Sequence, residues 1–316
     1  MSSEFERIQR YFWPLAAPEA NPPALIGNGD DALAVCSGQA VVISVDTSVS
    51  GTHFPPDAAP EDVASKAVRS AISDLAAMGA RPWFYTLSIV VPKAYDESWW
   101  QRFTDQLMLE NQHWRMPCLG GDTTSGAILV VTVQVHGLTD QPLRRSSAQP
   151  GDDIWVTSYL GDSAGGLAGL QQRAPIRAEL LERFYRPEPP VSFMVAAAPM
   201  IHAAVDVSDG LVADLGHIAK ASHCGACIDV DSLPLSPTLQ DIVSTEQAIA
   251  WALSGGEDFA ACFTAAPVHA DELCALAKEH GRTLWRIGTM IEGKGVQVLR
   301  ADSPYNHSDA GYDHFG

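Results

Sequence analysis

The sequence predicts an α/β (α+β) protein of two domains. Strand-like and helix-like hydrophobic periods alternate in both halves of the 316 residues, and that length suits two ordinary domains. Between the halves, Arg144–Asp152 (Arg-Arg-Ser-Ser-Ala-Gln-Pro-Gly-Asp) is polar and turn-rich, as a linker should be. The expected division is 1–146 and 147–316. No internal repeat is visible.

Ser3 with Glu6 reads as a capping box opening a helix to about Tyr11, which Pro14 stops. A proline-rich stretch, Pro18 to Pro23, leads to Gly27-Asn28-Gly29-Asp30-Asp31. Val41–Val45 is a β-branched run that predicts a strand with Asp46 at its end. Pro60–Met78 predicts a helix, since Val63, Ala67, Ala71, Leu75 and Met78 recur at three- and four-residue steps before Gly79 and Pro82. A strand over Trp83–Val91 and an amphipathic helix over Ser98–His113 follow. Cys118-Leu119 runs into a double-glycine turn before Asp122, and Ala127–Val135 alternates as a third long strand.

Past the linker, Ile154–Thr157 reads as a strand and Ser163–Gln171 as a helix after a glycine-rich turn. Helices are expected at Arg177–Tyr185, Val191–His202 and Leu211–Ser222. Strands are expected at Ala226–Val230, Ala260–Phe263 and Val296–Leu299.

Composition narrows the function. An apolar content of 46% with 18% charged residues describes a globular chain. A formal charge of −18 and only five lysines argue against nucleic acid, which needs clustered Lys and Arg. The opening Met-Ser-Ser-Glu-Phe-Glu-Arg lacks a signal pattern, and no apolar run approaches a membrane span. A cytoplasmic protein without membrane partners is expected. Cys224-Gly-Ala-Cys227 has no second pair and no zinc-like spacing, so packing is the expected role of its thiols.

Carboxylates recur beside Gly, Ser or Thr at five separated places: Gly29-Asp30-Asp31, Ser44-Val45-Asp46-Thr47, Ser73-Asp74, Gly120-Gly121-Asp122-Thr123-Thr124 and Asp206-Val207-Ser208-Asp209-Gly210. Short carboxylates on tight turns suit hard divalent cations, which take oxygen donors. An acidic protein that binds phosphates must then draw its positive charge from metal. Convergence of the segments is what this reading requires. Taken singly, Asp46 also reads as a turn former, Asp74 as a capping residue, and Asp209 as a plain helix N-cap. Double glycine before acid recurs in Ser254-Gly255-Gly256-Glu257-Asp258, where it admits either a close ligand or a turn.

Gly161-Asp162-Ser163-Ala164-Gly165 points elsewhere. It fits G-x-S-x-G between a predicted strand and helix, as in a serine hydrolase, with Asp209, His217, His223 and His314 downstream. The chain has no His-Gly-Gly-Gly oxyanion segment, and a hydrolase leaves the carboxylates unexplained. The alternative reading is a backbone-amide anion site or a simple helix start. A metal-binding interaction protein is the non-enzymatic alternative. No Walker A sequence occurs, so any ATP is held differently.

Taken together, these strings resemble the thiamine-monophosphate kinase family, within the aminoimidazole ribonucleotide synthetase-like superfamily. The resemblance adds His53-Phe54, Ser73–Ala80 and Gly311-Tyr312-Asp313-His314-Phe315, and runs from about residue 4 to the C-terminus. It implies an N-terminal domain whose sheet pairs with a second subunit in a homodimer, a C-terminal α/β domain, and a site between them. It implies that ATP phosphorylates thiamine monophosphate, with magnesium and no general base. By that pattern Asp31, Ser44, Val45, Asp46, Asp74, Asp122, Asp206 and Asp209 hold magnesium. Gly121, Asp122, Arg145 and Ser208 contact ATP, while His53, Glu257 and Tyr312 contact thiamine monophosphate. Val45 stands where relatives often carry Thr, leaving only its carbonyl for a metal, and Phe259 replaces a common Tyr.

Overall fold

The structure is a computed structural model that describes residues 38–306, together with the backbone of strands 24–26 and 33–36. The expected helix near Ser3, the Gly29–Asp31 turn and the Gly311–Phe315 string lie outside the described residues.

The described strands form two sheets. The first runs β1 (Ala24–Ile26), β2 (Leu33–Cys36), β3 (Ala40–Val49), β6 (Val130–Thr139), β4 (Arg81–Val91), β5 (Cys118–Ser125) in spatial order. Its pairs are antiparallel except the parallel β4–β5 edge. The second has the order β13 (Ser303–Pro304), β12 (Gly295–Arg300), β9 (Gly225–Asp229), β11 (Trp285–Ile291), β7 (Asp153–Val156), β10 (Ala261–Ala265), β8 (Ile201–Asp206). Residues 140–152 carry the chain from one sheet to the other.

Helix α1 (Pro60–Ala77) joins the halves. Alanines and β-branched residues make it thin and apolar on several sides, so it can be buried all round. It packs on β3 and β6, beside α2 (Glu97–Trp114), and against β8 and β10 of the second sheet. One core therefore crosses the seam, from Val42, Val133 and Ile72 to Phe193, Ala204 and Phe263. A second core lies on the other face of the second sheet. There Ile154, Val205 and Ile228 meet Leu215 of α6 (Leu211–Ala221) and Leu253 of α8 (Thr245–Ser254). The remaining described helices are α3 (Asp162–Leu170), α4 (Ala178–Tyr185), α5 (Val191–Ala197), α7 (Pro237–Gln240) and α9 (Ala270–Glu279).

Four expectations are corrected. Asp46 is not at a strand end: β3 continues to Val49, with Thr47 and Ser48 paired to Thr132 and Val131. Those polar residues suggested a turn, but they belong to a strand. Gly120-Gly121-Asp122 is likewise strand. Gly121 serves close strand approach, since a Cβ there would lie 1.7 Å from the Leu87 carbonyl oxygen, at φ +152°. The third long strand begins at Val130, later than expected, and reaches Thr139. The expected Val191–His202 helix ends at Ala197. Pro199 sits in a short 3₁₀ turn, and Ile201–Asp206 becomes β8, whose small alanines hid its strand character.

Candidate active site at the domain seam

Three segments of the first half and four of the second, Leu167 of α3 among them, converge on a cavity of about 260 Å³. β3 supplies Val45, Asp46 and Ser48, and the loop after it supplies Thr52 and His53. α1 contributes Lys66, Ser70 and Asp74, one turn apart on a single face. Asp206 comes from the end of β8, and Ser208 and Asp209 from the turn leading into α6. Gly255, Gly256, Glu257 and Phe259 come from the loop before β10.

The carboxylates are held by named donors. Ser44 Oγ donates to Asp74 Oδ2 at 2.5 Å, and Ser73 Oγ donates to Asp206 Oδ2 at 2.7 Å. The second bond crosses the seam. Val49 N–H donates to His53 Nδ1 at 3.0 Å, which makes Nδ1 the acceptor and puts the ring proton on Nε2.

Two carboxylates, the buried Asp214 and the half-buried Asp258, shape the loops without lining the cavity. Asp214 Oδ2 accepts the N–H groups of Ser208, Asp209 and Gly210 at 3.0, 3.1 and 3.1 Å. It thereby fixes the turn that presents Asp206 and Asp209. Burial first, then the nearby Asp209 and Asp206 charges, push its carboxyl well above the usual range, against Arg145 and its own hydrogen bonds. Asp258 accepts the N–H of Gly161 at 2.7 Å and of Ser163 at 3.2 Å, and burial pushes it up to about 7.

The Gly255–Phe259 loop is strapped to the acidic turn. Glu257 N–H donates to Ser208 O at 2.8 Å, and Phe259 N–H to Val207 O at 2.9 Å. Glu257 at φ 57° and Phe259 at φ 47° adopt the left-handed region that side chains rarely enter. Such conformations persist only where the surroundings over-determine them.

Beside the main cavity lies a recess of about 220 Å³ with apolar walls: Phe54, Pro55, Pro56, Leu170 and Phe184. His53, Thr52, Leu167 and Glu257 line both spaces. The arrangement accommodates a flat organic group next to an anionic one.

Of the sequence-predicted site residues, His53, Val45, Asp46, Asp74, Asp206, Ser208, Asp209 and Glu257 line the cavity, and Ser44 reaches it through Asp74. Arg145 does not line it, although its charge acts on Asp214. Gly121 and Asp122 are on the edge strand β5. Asp122 pairs with Ser88, and through Thr132 with Thr47, whereas the row containing Asp46 runs through Val133 and Leu87 to Gly121. Alternation along the strands puts those two rows on opposite sheet faces. At about 4.8 Å per strand, Asp122 is also roughly 14 Å across the sheet from Asp46. Asp31 and Tyr312 lie outside the described residues.

Sequence reasoning missed Lys66. Its side chain is 2% exposed, and it is the only Lys or Arg lining the cavity among the described residues. Its signal was the polar stripe Lys66-Ser70-Asp74 at four-residue steps inside an apolar helix. The hydrolase reading loses its nucleophile: Ser163 is 1% exposed and its Oγ has no hydrogen-bond partner among the described residues. The helix-start amides that an anion would need are occupied by Asp258.

Five carboxylates against one ammonium make this cavity hostile to a bare polyphosphate. Among the described residues, no three His, Cys, Asp or Glu side chains gather tightly enough to hold a metal ion by themselves. An all-oxygen donor set of this openness fits magnesium, which takes one or two carboxylates and completes its shell with water and phosphate oxygens.

Comparison with known proteins places these features in context. Residues 29–139 match the family described as AIR synthase related protein, N-terminal domain, and residues 149–300 match its C-terminal domain. The thiamine-monophosphate kinase of Salmonella typhimurium is 41% identical over 99% of this chain and 98% of its own length. The crystal structure of thiamine-monophosphate kinase from Stenotrophomonas maltophilia K279a is 39% identical, with a TM-score of 0.80 over 96% of this chain and 98% of its own. A structure described as AaThiL complexed with AMPPCP and TMP is 27% identical, with a TM-score of 0.84 over 99% of this chain and 97% of its own. No described helix is long and apolar enough to cross a membrane.

Proposed function

From a chain that belongs to the AIR synthase related family, and within it to the thiamine-monophosphate kinases, we infer that the seam cavity is where ATP phosphorylates thiamine monophosphate to thiamine diphosphate. The convergence of Asp46, Asp74, Asp206 and Asp209 beside an apolar recess is the observation that carries this reading. The recess suits thiamine's rings, and the carboxylate-lined space suits the phosphates of both substrates. His53 and Glu257 stand where the two spaces meet, which supports their role as contacts to thiamine monophosphate. Ser208, Gly121, Asp122 and Arg145 are assigned to ATP by the family pattern, and Tyr312 to the thiamine ring.

The residues offered to magnesium are Asp46, Asp74, Asp206 and Asp209, with Ser44 and the Val45 carbonyl; the family pattern also names Asp31 and Asp122, the latter on the opposite face of the sheet from Asp46. When bound, magnesium supplies charge neutralisation between two polyanions. The chain's own residues need no general base, because the acceptor phosphate, with a second pKa near 6, is largely ionised at pH 7. The task left to them is alignment. Asp214 holds the Asp206–Gly210 turn, and the strapped Gly255–Phe259 loop holds Glu257. Direct in-line transfer without a phosphoenzyme is the reading this arrangement supports, with the proposed domains 1–146 and 147–316 each giving one wall of the cavity. The eight exposed residues of edge strand β5, with Leu119 66% exposed, and the exposed Trp83 on β4 support a homodimer formed through the first sheet.

The deciding experiment incubates the protein with ATP, magnesium and thiamine monophosphate and separates the products by chromatography. Equal amounts of thiamine diphosphate and ADP, abolished by a chelator, are expected. ADP without thiamine diphosphate would point to another acceptor and overturn the assignment.

Asp122 separates two versions of the metal set. Asp122→Asn is expected to lower turnover about tenfold or more while leaving the unfolding midpoint in place. Unchanged turnover across a magnesium titration would restrict the metal set to the carboxylates of the cavity.

A further inference from the structure

Lys66 comes from the first domain, and the hydrogen-bond, ion-pair and ring contacts of its ammonium belong to the second. Its Nζ donates to the Phe184 carbonyl at 2.9 Å, lies 3.3 Å from Glu257 Oε1, and sits over the Phe184 ring at 3.7 Å from the centroid. Phe184 and Glu257 are both walls of the apolar recess, and Glu257 and Lys66 both line the main cavity. The ammonium is thus anchored at the junction of the two spaces. Burial lowers its pKa, and Glu257 first, then Asp46, opposes that effect. A desolvated cation is an expensive way to join two domains, where an apolar side chain would pack as well. Glu257, by contrast, needs it. Its backbone is in a left-handed conformation, its side chain is 28% exposed, and Lys66 is its ion-pair partner among the described residues.

We propose that Lys66 is a positioning residue for the acceptor: its ammonium, delivered from α1, locks the Glu257 carboxylate at the mouth of the recess so that it meets thiamine monophosphate in one orientation. This rests on the reading of the cavity as the acceptor site. The effect belongs to binding of the acceptor, and ATP lies outside it.

The test is a double-mutant cycle on the full-length enzyme, with KM for each substrate and kcat measured for Lys66→Met, Glu257→Ala and the pair. Lys66→Met is expected to raise KM for thiamine monophosphate about tenfold or more, with KM for ATP and kcat within about threefold of wild type. In the Glu257→Ala background it should add nothing further, because the group it positions is gone. Lys66→Arg, which keeps the charge, should recover part of the loss. A Lys66→Met enzyme with unmoved acceptor KM, with both KM values raised together, or with effects that add to those of Glu257→Ala overturns the proposal. Methionine fills the lysine stem's volume between Phe184 and Phe259. If that variant is insoluble, Lys66→Gln gives the same reading, since it keeps a donor for the Phe184 carbonyl and loses the charge. Wild-type enzyme that does not turn over thiamine monophosphate overturns the functional reading first, and this proposal with it.

Discussion

Asp209→Asn lowers turnover by about a hundredfold or more and leaves the protein folded. The side chain lines the cavity and its backbone N–H is already held by Asp214, so the turn keeps its shape when the charge goes. The unfolding midpoint should hold or rise slightly, because one of five crowded carboxylates is neutralised. Raising magnesium should recover part of the rate if the lost function is cation affinity. An Asp209→Asn enzyme at wild-type rate, whatever the magnesium, would remove Asp209 from the reaction. A midpoint that falls along with the rate would instead make it a structural residue.

Arg69→Met is the substitution expected to cost most in stability. The Arg69 guanidinium donates from Nε to Glu110 Oε2 at 2.9 Å, and from Nη1 to the Pro187 carbonyl and to Glu188. Glu110, on α2, is 1% exposed and also accepts from Gln106 and Trp114. Removing the cation leaves that carboxylate buried with neutral donors only, a situation that costs about 3–5 kcal/mol. The expected result is a denaturant midpoint displaced by that amount with its slope unchanged. Activity at low temperature should survive, since Arg69 does not line the cavity. A loss below about 1 kcal/mol would mean that Glu110 finds water or a new partner, and that this ion-pair network is not a main support of the seam.

The legible parts of the sequence were those where one segment carries its own signal. Pro60–Met78 could be read from its apolar steps, and it forms over Pro60–Ala77. Asp206–Leu211 and Ser254–Asp258 could be read from acid placed beside glycine. Misreadings arose where a residue's reason lies in a different segment. Asp46 looked terminal because Thr47 and Ser48 are polar, yet they pair across to Thr132 and Val131. Gly120-Gly121 looked like a turn because no local pattern reveals that Leu87 will approach so closely. The first two residues of β8, Ile201 and His202, read as the tail of a helix, and its alanines gain a strand environment only from β10 beside them. Lys66 escaped for the same reason: a lysine in a helix reads as solvated until Phe184 and Glu257 arrive from over a hundred residues away. The relation of Asp122 to the other carboxylates is a matter of sheet parity, and strand order is not written in the sequence.

Helix α1 carries a further consequence. Part of its polar stripe is satisfied by the second half: Ser73 by Asp206, Lys66 by Phe184, and Arg69, beyond its bond to Glu110, by Pro187 and Glu188. Cut free, the first half would present a buried-type lysine and arginine and half of a shared core to water. The two family domains share one core, and a single cooperative unfolding transition is the expected result in calorimetry. Swinging the halves apart would expose that core, so entry of substrates through the mouth of the cavity is the less costly route.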